Sequence, residues 1–350
     1  MKCGDTVGYV SEMTMRDALE SIVAGDDLDV GSARSVMDLI MDGAATPAQI
    51  GAVLAALRAK GESVDELTGF VLSLRDHATY VALDVDAVDT AGTGGDGLGT
   101  FNISTAAALV VAGAGVPVAK HGNRSASSQC GSADVLEELG VTIALSADGV
   151  RRCVHEAGIG FMFAPLFHPA MKNAGVVRRE LGIRTVFNIL GPLANPARVR
   201  RQVLGVGDPE VASRMAQVLL RLDHERALVV TSGDGMDELG LDTPAVIHDV
   251  RDGAVRRGTV SAIDLGLEPA PAASISGGDA DACARRVREV LDGIDGAPRD
   301  VVALNAAAAL VVAGVAGDFR EGLARARESI DSGAARERLS RLVQTSANAA

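Results

Sequence analysis

The chain has 350 residues, 47% of them apolar and 23% charged, and a formal net charge of -13. This is the composition of a globular protein, and the length allows one large domain and a smaller one. A pI near 4.9 excludes the broad basic surface that nucleic acid or anionic lipid requires.

The N-terminal segment predicts four short helices with clear start signals. Thr14-Met-Arg-Asp17 resembles a capping box, and Met15, Leu19, Ile22 and Val23 follow on one helical face. Thr46-Pro-Ala-Gln49 combines an N-cap, a first-position proline and a glutamine that can reach back, ahead of a stripe at Ile50, Val53, Leu54 and Leu57. Ser63-Val-Asp-Glu66 opens the last helix, with Leu67, Phe70, Val71 and Leu74 turned inward. Gly25, Gly43 and Gly61 stand where C-terminal caps belong. The stripe from Ile50 to Leu57 exceeds what a small bundle buries alone, which predicts a homodimer through this segment.

From about Val85 short apolar strands alternate with helices. Strands are expected at 85–89, 116–119, 141–145 and 160–163, and helices at 102–113, 132–139 and 147–157. The alternation indicates an α/β fold with a central, mostly parallel sheet, whose ligands sit beyond the carboxyl ends of the strands. Residues 227–231 read as a further strand, Asp252-Gly253 joins 245–250 to 254–260 as a hairpin, and the C-terminal segment is mostly helical. Ala-Ala-Leu-Val-Val-Ala-Gly occurs at 107–113 and again at 308–314; nothing around it repeats, so it reads as two close-packed core helices. Met1-Lys-Cys-Gly-Asp5 lacks the apolar core of a signal peptide and the apolar run 106–119 is too short to span a bilayer, so a cytoplasmic protein is expected. Cys3, Cys130, Cys153 and Cys283 show no CxxC spacing, which argues against a zinc site or a disulfide framework.

Although the chain is acidic, no Asp or Glu occurs between Gly97 and Ala133. Two glycine-rich runs bracket that stretch: Asp89-Thr-Ala-Gly-Thr-Gly-Gly-Asp96, and Lys120-His-Gly-Asn-Arg-Ser-Ala-Ser-Ser-Gln-Cys-Gly-Ser-Ala-Asp134. Glycines let backbone N–H groups cradle anion oxygens. Lys120, His121 and Arg124 add cationic donors, and Thr93, Thr100, Ser104, Thr105, Ser127 and Ser128 add hydroxyls. The combination predicts a site for a phosphorylated small molecule. Gly92-Thr-Gly-Gly-Asp-Gly97 formally satisfies GxGxxG, but the acid expected about twenty residues on for a dinucleotide ribose is missing, and no GxxxxGK[ST] occurs.

Downstream, Gly233-Asp-Gly-Met-Asp237-Glu238 follows an apolar strand. Paired carboxylates there suit Mg²⁺ held together with substrate phosphates; the alternative is a plain acidic turn. In His168-Pro-Ala-Met-Lys172-Asn173-Ala-Gly-Val-Val-Arg178-Arg179-Glu180, an arginine near the site would suit an acidic acceptor, or else face solvent.

Together with Asn-Ile-Leu-Gly-Pro-Leu at 188–193, these runs resemble the anthranilate phosphoribosyltransferase family over nearly the whole chain. The resemblance implies a small α-helical domain, 1–80, completed by helices around 165–185, and a large α/β domain, 81–350, of nucleoside phosphorylase/phosphoribosyltransferase-like fold. Hinges join the two, with the active site in the cleft. The implied reaction transfers the phosphoribosyl group of 5-phospho-α-D-ribose 1-diphosphate (PRPP) to the amine of anthranilate, releasing pyrophosphate, in tryptophan biosynthesis. It implies a homodimer and Mg²⁺, two ions per subunit.

Carried onto this sequence, the resemblance assigns Gly92, Gly95, Asp96, Thr100, Asn102, Ile103, Ser104 and Thr105 to the PRPP donor. Lys120, His121, Gly122, Asn123, Arg124, Ser125, Ala126, Ser127, Ser128 and Ser132 complete that site. Gly92, His121, Asn123 and Arg178 are expected at anthranilate, and Ser104, Asp237 and Glu238 at the metal. Ala194 and Ser125 depart from the commoner threonine and alanine, and neither removes a named contact. Positioning and electrostatics suffice for a good leaving group and a neutral amine, so no dedicated general base is expected. The enzymatic alternative is a pyrimidine-nucleoside-phosphorylase-like activity, for which the acidic pair is out of place. A non-catalytic, nucleic-acid-binding relative is the other, disfavoured by the net charge of -13.

Overall fold

The structure, a computed structural model describing residues 13–125 and 129–350, opens with α1 (Met15–Ala24), α2 (Val30–Met41), α3 (Pro47–Lys60) and α4 (Val64–Asp76). There follow β1 (Val88–Gly92), α5 (Ile103–Gly113), β2 (Val118–Gly122), α6 (Ser132–Glu138), α7 (Ala147–Ala157), β3 (Ile159–Phe163), α8 (Ala164–Phe167), α9 (Lys172–Leu181) and α10 (Phe187–Leu190). The chain continues through β4 (Arg201–Gly205), α11 (Pro209–Arg221), β5 (Arg226–Ser232), β6 (Ala245–Arg251) and β7 (Ala254–Val260). It ends in α12 (Ala280–Leu291), α13 (Ala297–Val312), α14 (Phe319–Asp331) and α15 (Ala334–Ala349). Two units result: one takes the chain up to His77 together with Ala170–Phe187, the other takes Ala78–Pro169 and Asn188–Ala350.

In the helical unit, Thr46 with Gln49 and Ser63 with Glu66 close full capping boxes, and Thr14 accepts from the Asp17 N–H. Glu66 is buried. Its carboxylate accepts from the N–H groups of Leu28 and Ser63 and from the Lys60 ammonium, which satisfies a charge that burial would otherwise make costly. The stripe Ile50, Val53, Leu54 and Leu57 is no more than 2% exposed. Packing of α1 and α9 against α3 buries it, and Asn173 on α9 donates to the Met41 carbonyl at 2.7 Å. The stripe is therefore consumed inside the unit and carries no argument for a dimer.

The α/β unit holds a seven-stranded sheet in the order β3-β2-β1-β4-β5-β6-β7. Neighbours from β3 to β5 run parallel, and β6 and β7 close the edge as antiparallel strands. Their hairpin turns at Asp252 and Gly253, both in the left-handed region with φ of 53° and 70°, as a two-residue turn of this type demands. The twin alanine-rich runs lie in α5 and α13, which pack on one another and are almost wholly buried. Among the described residues, no helix is long and apolar enough to cross a membrane.

Residues 141–145 form no strand. Val141, Ile143 and Leu145 are buried as the alternation implies, but the Thr142 N–H donates to Ser346 Oγ on α15 at 3.0 Å, so packing on a helix replaces strand pairing. Strands β1 and β2 also begin later than expected. They extend to Gly92 and Gly122, so that Lys120 and His121 lie inside a strand, not in a loop.

Candidate active site

Parallel register levels the strand ends. Gly92 of β1 pairs with Gly205 of β4, which pairs with Val230 of β5. The glycine loop after β1 and the acidic turn after β5 therefore emerge on either side of β4. Both glycines are needed there. A methyl group at Gly92 would come 2.3 Å from Asp237 Oδ2, and one at Gly205 would fall 1.4 Å from the Asp237 carbonyl oxygen. With those side chains absent, Asp237 lies over the strand ends and accepts from the Gly94 N–H at 2.6 Å.

Asp96, Asp237 and Glu238 each bring a carboxylate oxygen within 4.8 Å of the others. Asp96 Oδ2 and Glu238 Oε2 are buried and accept no hydrogen bond. Burial, opposed by the Gly94 bond and reinforced by Asp96, raises the Asp237 pKa to about 6. Burial together with Asp237 and Asp96 pushes Glu238 well above the usual carboxylate range. Two acids whose ionisation is opposed by burial and by neighbouring carboxylates, with Asp96 beside them and oxygens left unsatisfied, form a hard-oxygen donor set that fits a divalent cation. Ser104, Asp237 and Glu238 line one small cavity, with Thr90 and Asn305. Asn305 of α13 fixes the turn from behind: its Oδ1 accepts from Leu239 N and its Nδ2 donates to Leu239 O, both at 3.0 Å.

Behind the strand ends the sheet is unusually polar. Lys120 is 2% exposed, and its ammonium donates to the Thr90 carbonyl and, at 3.3 Å, to Ser104 Oγ. Burial drives its pKa down, against the pull of Asp89 and Glu238. Buried Asp89 accepts from Asn195 Nδ2 at 2.8 Å, Gln202 Nε2 at 3.3 Å and the His121 N–H at 3.3 Å. Asn195 also donates to the Ala119 carbonyl and Gln202 to the Pro192 carbonyl, so the segment ending in Pro196 clamps β1 and β2. His121 is buried, its pKa lowered to about 3 by burial and then by His168, whose ring centroid lies 5.1 Å away. It is a neutral imidazole near pH 7, which corrects its reading as a cation, and its Nε2 is unpartnered.

Gly95, Asp96 and Thr100 line an open cleft, together with Gln129, Cys130, Gly277 and Gly278. Asn102 borders it by donating from Nδ2 to the Cys130 carbonyl at 3.2 Å. The side chains of Ile103 and Thr105 are buried in the first turn of α5. Arg124 is engaged, pairing with Asp134 at 2.7 Å and Glu137 at 2.5 Å and stacking over Phe163. Asp134 also accepts from the Ser125 and Gly131 N–H groups, while Ser132 Oγ donates to the Asn123 carbonyl at 3.2 Å. A methyl group at Gly122 would meet that Ser132 hydroxyl at 2.2 Å. Ala126, Ser127 and Ser128 lie outside the described residues.

Residues 84–336 match the a/b domain of a glycosyl transferase family, and residues 16–78 match the helical bundle domain of the same name. The chain is 58% identical to the anthranilate phosphoribosyltransferase of Thermomicrobium roseum, over 93% of this chain and 94% of that one. The chain belongs to the anthranilate phosphoribosyltransferase family. The crystal structure of the Thermus thermophilus family member superposes with a TM-score of 0.90 at 41% identity, covering 95% of this chain and 99% of that one. The Saccharomyces cerevisiae family member in complex with PRPP and Mg superposes with a TM-score of 0.88 at 25% identity, covering 97% and 99%.

The one residue expected at the acceptor that belongs to the helical unit is Arg178. Its guanidinium stacks over Phe187 at 5.1 Å, and burial alone lowers its pKa. A half-buried guanidinium with no carboxylate beside it among the described residues is ready to take an anionic group. Three site features escape the family motifs. Asp96 stands with the acids as well as in the glycine loop. Gly205 admits Asp237, and Asn305 holds the turn. The signal for Asn305 was present as a lone amide within the apolar run 301–312 of α13.

Proposed function

We propose that Asp96, Asp237 and Glu238, with the Ser104 hydroxyl, hold Mg²⁺ beside a PRPP site built from the loop at 92–100, and that Arg178 receives the carboxylate of anthranilate. The activity is that of the family: phosphoribosyl transfer from PRPP to anthranilate, giving N-(5-phosphoribosyl)anthranilate and pyrophosphate in tryptophan biosynthesis. The observation that carries the site reading is the acid cluster with its unsatisfied oxygens at the levelled strand ends. Bound there, Mg²⁺ supplies charge neutralisation for the leaving pyrophosphate. The cluster gives one place for a cation; a second ion rests on the family resemblance alone.

The chain's own groups do the remaining work. The Gly94 N–H fixes the orientation of Asp237. The Lys120 ammonium, locked between Thr90 and Ser104, offsets the surrounding carboxylates and holds the Ser104 hydroxyl in place. His121 offers an uncharged ring and an unpartnered Nε2, which suit a neutral aromatic amine and repel no developing positive charge at the ribose. Thr100 lines the donor side, and Asn102 braces Cys130 on its wall. No group is assigned as general base, since the anthranilate amine is neutral near pH 7 and can release its proton after attack. We further place the protein in the cytoplasm and read it as a homodimer through the helical unit, where Val23, Val176 and Ile183 are more than half exposed. Anthranilate fluorescence should fall on adding PRPP with Mg²⁺ and hold steady when either is omitted. A fluorescence decay independent of PRPP would overturn the assignment.

A further inference from the structure

The acid pair is held at both of its ends by uncharged groups. Before it, the turn leaving β5 closes on itself. The Ser232 N–H donates to the Met236 carbonyl at 3.1 Å, and the Gly235 N–H to the Ser232 carbonyl at 2.9 Å. After it comes Leu239, wholly buried, whose N–H and carbonyl are both taken by the Asn305 amide. Asp237 and Glu238 are the two residues between these fixed points. Asn305 is itself locked. Its Nδ2 also donates to the Val301 carbonyl, one helical turn back, at 2.9 Å. A carbonyl only accepts, so one orientation of the amide satisfies all three bonds.

Through this residue α13 touches both sides of the acid cluster. The helix packs along α5, whose first turn carries Ser104. Asn305 lines the same small cavity as Ser104, Asp237 and Glu238. Residues 301–312 of α13 are all buried, so the amide stands on the core and not on a loop.

We propose that Asn305 is a positioning residue for the divalent cation: by clamping Leu239 it holds Asp237 and Glu238 in their binding arrangement before the ion arrives. Ionised carboxylates crowded in a buried turn repel one another. A turn free to move would relieve that repulsion by swinging apart, and the cation would lose affinity to gathering it again. Asn305 supplies the restraint through the peptide planes on either side of Leu239. Being uncharged, it neither adds to the repulsion nor takes the cation's place. It acts on the ion only through the acids.

The inference rests on the reading of the acid cluster as a cation site, and the test separates the two. Binding of Mn²⁺ alone to the full chain is followed by the fall of the free ion's paramagnetic resonance signal. The wild-type protein should bind Mn²⁺, and Glu238→Gln should lose most of that binding, which places the ion at the cluster. Asn305→Ala should bind it about ten- to a hundredfold more weakly, the usual effect of removing a partner behind a metal ligand. Its turnover should recover as Mn²⁺ is raised by the same factor, which a damaged fold would not do. An Asn305→Ala protein that melts cooperatively and binds Mn²⁺ as tightly as the wild type would overturn the clamp and leave the cation site standing. A wild-type protein that binds no Mn²⁺, or binds it regardless of Glu238, would fell both. Should Asn305→Ala not fold, hydrogen exchange at the wild-type Leu239 N–H decides. Equal protection with and without Mn²⁺ is expected, and protection arising only with Mn²⁺ would mean that the ion builds the clamp, against the proposal.

Discussion

At Asp237 burial opposes the charge that the chemistry requires. Its pKa of about 6, against 3.8 in the unfolded chain, means that the folded protein binds the proton more tightly. Without a divalent cation, that group's stabilising share is present below the unfolded value and is lost as pH rises toward about 6. Thermal melting should therefore show stability falling across that window, with Mg²⁺ raising the melting temperature above it and Glu238→Gln shrinking the Mg²⁺ effect. A melting temperature indifferent to Mg²⁺ at neutral pH would leave the cluster as an acidic turn. Arg178 poses the converse case, a cation with no counter-charge beside it among the described residues. A charged hydrogen bond to a carboxylate contributes about 1.5–3 kcal/mol, so Arg178→Ala should raise the anthranilate KM by about ten- to a hundredfold and barely move that of PRPP. A loss confined to PRPP would place Arg178 with the phosphates.

Elements were legible in the sequence wherever a local signal and the tertiary context agree. The capping boxes at Thr46 and Ser63, the hairpin at Asp252-Gly253 and the twin alanine-rich helices all form as their residues dictate. The glycine runs and the Asp237–Glu238 pair were visible because chemistry of that kind needs particular residue types close together in the chain. The segment 141–145 misled because alternating apolar side chains look the same whether their backbone pairs with a strand or lies against α15. Lys120 and His121 misled in another way. A basic pair beside glycines reads as a solvated phosphate grip, and only the sheet shows that one is a buried clamp and the other a neutral ring. Nothing local could announce Gly205, whose need for a missing side chain comes from Asp237, a residue on a different loop.

For the whole molecule, assembly is the property least written in any one segment. The apolar stripe on α3, which invites a partner when seen in sequence, is covered by α1 and by α9, a helix returned from the middle of the chain. Among the described residues of the helical unit, the large apolar side chains left exposed are Val23 at 70%, Val176 at 52% and Ile183 at 51%. Light scattering should give twice the 35.8 kDa chain mass, and an acidic substitution at Val176 should lower it. A mass of one chain at every concentration would rule the dimer out. The grip of Asn305 on Leu239 has a consequence for how the molecule comes into being. A ribosome releases both glycine runs and both acids of the turn well before α13 exists. Until that helix arrives, the nascent protein carries the acids of the proposed cation site without the amide that grips Leu239 at the end of their turn.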